Sequence, residues 1–63
     1  MFGLEHVTAA TDWLQAAPGR HIAITYNAAF MVDFSDENGG ITSGEGVALM
    51  DALKMALAGL PKS

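Results

Sequence analysis

Two alternating apolar segments, set three residues apart, constrain this chain more than any other feature of its sequence. From Arg20 to Tyr26, Ile22, Ile24 and Tyr26 fall on one face and His21, Ala23 and Thr25 on the other. From Phe30 to Ser35, Phe30, Val32 and Phe34 oppose Met31, Asp33 and Ser35. A period of two marks a half-buried strand. The linker decides how the strands pair. A two-residue turn at Asn27-Ala28 would pair Tyr26 with Ala29 and put the isoleucines on the face of Asp33. A three-residue loop, Asn27-Ala28-Ala29, pairs Tyr26 with Phe30, Ile24 with Val32 and Ile22 with Phe34. A slip of one residue would turn the whole apolar set to water, so the second register is expected. Such loops often want a left-handed backbone at the third position, which suits Ala29 poorly. A slightly longer loop of the same parity serves equally.

Helical periods flank the hairpin. Over Leu4 to Ala17, Val7, Ala10, Leu14 and Ala17 share a stripe at 100° per residue, flanked by Leu4 and Trp13. Glu5, Thr8, Asp12 and Gln15 lie opposite, and Pro18-Gly19 ends the element. Thr8 or Thr11 as N-cap would give a shorter helix. The stretch Ser35 to Gly40 reads as a solvated turn, and Ile41-Thr42 as a short third strand. A closing helix is expected from about Glu45 to Ala58, with Leu49, Met50, Leu53, Ala56, Leu57 and Leu60 on its apolar stripe. Ser43 or Gly44 would cap it, Glu45 would sit against the positive end of the helix dipole, and Gly59 with Pro61 would stop it. The expected fold is a single α+β domain over residues 1–63, helix–strand–strand–(short strand)–helix, with both helices on one face of an antiparallel hairpin. So small a sheet leaves unpaired edges, which a homodimer or a partner's strand would relieve.

Length and charge narrow the function. Sixty-three residues without cysteine have neither a disulfide framework nor a thiolate metal site to supplement a small core. Seven acidic residues against three basic ones give a net charge of −4. Arg20, Lys54 and Lys62 are far apart, so neither direct nucleic-acid binding nor an anionic membrane is expected, and a protein with a basic surface is the favoured partner. The start of the chain shows no basic segment followed by an apolar run, and no stretch approaches the ~20 residues of a membrane span. A reducing, cytoplasmic setting is the expectation.

Several motifs come close to known chemistry and stop short. The run Gly39-Gly40-Ile41-Thr42-Ser43-Gly44-Glu45-Gly46 lacks the Gly-Lys-Ser/Thr ending of a phosphate loop, and Glu45 would repel the ligand. Counting from Asp33, the twelfth position is Gly44 rather than the Glu a calcium loop needs. His6 and His21 without cysteine make a poor zinc site. In the favoured register His21 faces Ser35 and lies diagonal to Asp33, on an open sheet face without an enclosing pocket or oxyanion donors. Neither catalysis nor a cofactor is expected. What remains is a concentration of carboxylates, Asp33, Asp36, Glu37 and Glu45, as a docking patch, and Trp13, divided between core and interface.

From Ile22 to Leu57 the chain resembles the partial RNase H-type module of the HicB-like antitoxins. The resemblance rests on the hairpin, on Phe34-Ser35-Asp36, on Gly40-Ile41-Thr42 and Gly44-Glu45, and on Asp51-Ala52-Leu53. It covers about half of the chain, with the leading helix outside the pattern. It implies a module that neutralises a small RNase toxin through its sheet edge. In size and charge alone the chain also resembles the small acidic inhibitors of phages, anti-CRISPR proteins among them, which cover basic nucleic-acid-binding surfaces. The leading expectation is a non-enzymatic inhibitor that presents carboxylates to a basic site. An antitoxin-like or regulatory module and a structural subunit stand behind it.

Overall fold

The computed structural model describes residues 4–61. Helix α1 spans Leu4–Gln15, strands β1, β2 and β3 span His21–Tyr26, Phe30–Ser35 and Ile41–Gly46, and helix α2 spans Leu49–Gly59. The strands form one antiparallel sheet in the order β1-β2-β3. Both helices cover the same face, as expected for this α+β arrangement.

The β1–β2 hairpin adopts the register that apolar parity requires, with Tyr26 opposite Phe30, Ile24 opposite Val32 and Ile22 opposite Phe34. The left-handed residue is Ala28, at φ 66°, and not Ala29. The Asn27 N–H donates to the Ala29 carbonyl at 3.0 Å, which closes the three-residue loop with its left-handed residue one position earlier than the sequence suggests. Helix α1 starts at Leu4, so neither Thr8 nor Thr11 caps it. Instead the Thr11 hydroxyl donates to the Val7 carbonyl four residues back. The helix ends at Gln15, short of Ala17.

The third strand is the main correction. It is no two-residue fragment but runs six residues, as far as Gly46. Glu45 therefore lies in β3 rather than at a helix start, and neither Ser43 nor Gly44 is a cap. Helix α2 begins four residues later than expected, with Ala48 at the N-cap and no side-chain hydrogen bond there. The cause is packing. Gly44 and Gly46 alternate on the covered face, and without side chains they let α2 settle directly on β3. A Cβ on Gly46 would stand 2.8 Å from the Ala52 nitrogen. Local propensity reads glycines as loop, but here a helix backbone fills the space they leave.

The core is thin. Ala10, Val32, Phe34, Ala52, Leu53 and Ala56 are buried, and half of these are alanine. Phe34 and Val32 are its largest fully buried side chains, each contributing about 1.5–3 kcal/mol by burial. The stripe of α2 is as expected, except that Ala52, outside it, is also buried. On α1 the inward face turns away from Val7, which is exposed, towards Ala10 and Trp13. Between α1, β1 and α2 a shallow groove of about 200 Å³ remains, lined by Val7, Ala10, Thr11, Leu14, Ile22, Ile24, Leu49, Met50 and Leu53.

Candidate interaction surface

The helices leave the other face of the sheet uncovered. Three cross-strand rows cross it: His21–Ser35–Ile41, Ala23–Asp33–Ser43 and Thr25–Met31–Glu45. All but Asp33 and Ser35, which are half-buried, are exposed. The face carries two carboxylates, three hydroxyls, the exposed apolar Met31 and Ile41, and no lysine or arginine. Asp33 is fixed in place because the Ser43 hydroxyl opposite donates to its Oδ1 at 2.6 Å. His21 does face Ser35, as the register requires.

The four carboxylates expected to act together separate into two pairs. Asp33 and Glu45 share the open sheet face. Asp36 and Glu37 lie in the turn between β2 and β3, each already engaged. The Asp36 Oδ1 accepts from the backbone N–H groups of Asn38 and Gly40, both at 2.8 Å, which holds the turn. Glu37 takes both ends of the Arg20 guanidinium, Nε at 2.8 Å and Nη2 at 3.3 Å. That hydrogen-bonded guanidinium, with a bond from the residue's own backbone, holds the Glu37 carboxyl below its ordinary value.

Arg20 is the residue that sequence reasoning missed. Its third nitrogen donates to the Trp13 carbonyl at 2.8 Å, and its guanidinium carbon sits 4.7 Å above the Trp13 ring. Trp13 in turn packs on Phe34 with ring centroids 5.0 Å apart. Trp13 is thereby half-buried, packed against the core and roofed by a cation. The signal was available. With His21 opposite Ser35, the preceding Arg20 must lie beside the 36–37 turn. A mixed cleft of about 280 Å³ opens there, between Trp13, Arg20, Asp36, Asn38, Thr42 and Leu60.

Among the described residues no helix is long and apolar enough to cross a membrane, and no cluster of three metal-ligating side chains forms. Lys62 lies outside the described residues. No known protein family, curated protein or solved structure matches this chain.

Proposed function

We propose that the chain is a non-enzymatic protein-binding inhibitor that lays its uncovered sheet face against a basic surface of its target, in the manner of phage anti-CRISPR proteins. One observation carries this reading: the face that neither helix covers holds Asp33 and Glu45 and no lysine or arginine. Carboxylates on an exposed face steer a cationic partner and set the salt dependence of association. The flanking Met31 and Ile41 supply apolar contact on the same plane. Asp36 and Glu37 belong to this reading less than their sequence position suggests, since both lie in the β2–β3 turn rather than on the open face and Glu37 is already paired with Arg20.

The test is a pull-down from the source cell with the parent chain and with Asp33→Asn, Glu45→Gln, followed by titration of the captured protein at low and high salt. The double variant is expected to bind about tenfold more weakly, roughly 1.4 kcal/mol, with a flatter salt dependence. Equal affinity at both salts would remove the reading, since isolated surface charges contribute little. A second reading draws on the bare edge of β1: an antitoxin-like or regulatory module that holds a small RNase toxin by strand addition. It expects the carboxylate variant to bind unchanged and Ile24→Lys to lose the partner.

A further inference from the structure

Among the described residues, strand β1 is an edge with none of the usual protections. His-Ile-Ala-Ile-Thr-Tyr contains no lysine, no proline and no carboxylate. Its apolar side chains on the helix-covered face are left over from the core: Ile24 is 57 % exposed and Tyr26 64 %. The apolar groove above Ile22 and Ile24 opens beside this edge, and the exposed Val7 of α1 is part of its lining. We propose that two copies of the chain pair antiparallel along β1 about a two-fold axis through Ile24, forming one six-stranded sheet with the helices of both protomers on one face.

The strand itself selects this occupant. In an antiparallel pair about a two-fold axis normal to the sheet, only registers centred on a residue keep each face continuous. Centred on Ile24, the pairing sets Ile24 against Ile24 of the second copy, and Ile22 against Tyr26 in both directions. Every exposed apolar side chain of the strand then meets an apolar one, and the pairs on the opposite face are Ala23 with Thr25. Centring on Ala23 leaves Tyr26 unpaired. Each chain carries a net charge of −4, so two copies can approach only where no carboxylates face each other, and β1 is such a place. The domain measures 30 × 27 × 16 Å, so a side of 27 × 16 Å spans roughly 430 Å² per protomer. That lies below the ~600 Å² per partner where stable interfaces begin, so the dimer is a weak one, populated at tens of micromolar chain. The same operation places the two open sheet faces side by side, so Asp33 and Glu45 appear twice on one continuous surface. This last consequence alone rests on the proposed function.

The chain has no cysteine, which permits a direct test of both dimer and register. Residues directly opposite in an antiparallel pair have Cα atoms about 4.5 or 5.5 Å apart, within disulfide range. Ile24→Cys at tens of micromolar chain with oxidised glutathione is expected to form a covalent dimer. It should do so about tenfold faster than Val47→Cys, because only a held geometry favours the bond. Val47 is the more exposed of the two at 86 %, so crosslinking at Ile24 no faster than at Val47 overturns the proposal. Sedimentation of the parent should show dimer within a hundredfold concentration range. Monomer throughout equally overturns it. Ile24→Lys is expected to be monomeric with the parent's circular dichroism, and a persistent dimer would place the interface elsewhere. If that variant fails to fold, the cysteine pair decides. Asp33→Asn, Glu45→Gln should still dimerise, which separates this proposal from the functional one.

Discussion

Gly44 lies against the backbone of Ala56, with no room between them for a side chain. A Cβ at Gly44 would stand 2.9 Å from the Ala56 Cα and closer still to the Ala52 carbonyl and the Ala56 nitrogen. Backbone cannot move aside as a flexible side chain can. Ala52 and Ala56 are both fully buried, so the small residues of helix and strand form a single close approach. This contact holds α2 on β3.

Gly44→Ala is therefore expected to cost about 3 kcal/mol, a large part of the stability of a domain this size. Gly39 is the control. It has φ 88° but open space around it, so Gly39→Ala should cost only the left-handed strain, about 1–2 kcal/mol. Urea denaturation of the two variants measures the order. If Gly39→Ala proves the more damaging, the close approach does not hold α2 in place.

The buried pair Phe34 and Leu53 should behave as core. Phe34 is 1 % exposed and carries the Trp13 ring, while Leu53 anchors the middle of α2. Truncation of either to alanine is expected to cost roughly 2–5 kcal/mol. A Leu53→Ala chain that melts within a few degrees of the parent would show the helix face to be misassigned.

The Arg20–Glu37 pair predicts a pH dependence of definite sign. Its carboxyl is held below the ordinary value of 4.5, so the pair's contribution is fully present above that pH. It is lost as pH falls through the lower, folded value. Glu37→Gln should lower the melting temperature slightly at pH 7, and the gap from the parent should close as pH falls below 4.5 and through the lower, folded value. The effect is small because both side chains reach solvent. A gap of the same size at pH 7 and pH 3 would show that the ion pair does not contribute to stability.

The roof that Arg20 makes over Trp13 can be read optically. Arg20→Ala is expected to red-shift the tryptophan emission as solvent reaches the ring, with little change in far-ultraviolet circular dichroism. An unchanged spectrum would mean that the guanidinium does not shield the indole.

Periodicity determined the parity of the hairpin by itself. The three apolar residues of each strand share one face in only one parity, so the face on which Ile22 and Ile24 meet Val32 and Phe34 was legible in the sequence. The three-residue loop that sets Ile24 opposite Val32 was not. The stripe of α2 and its stop at Gly59 were equally legible, because both depend on local spacing. The tertiary structure decided the rest. Whether Thr42 to Gly46 is strand or helix start depends on what fills the space above Gly44, and no local pattern encodes the nearness of Ala52 and Ala56. That choice moved Glu45 from a helix terminus to the open sheet face beside Asp33. Charge counted along the chain suggested one acidic patch of four. Partner geometry divided it, since Asp36 turns onto backbone N–H groups and Glu37 onto Arg20, seventeen residues away in sequence. Burial periodicity is a property of a segment and is written in its residues, whereas the availability of a charge depends on its neighbours in space.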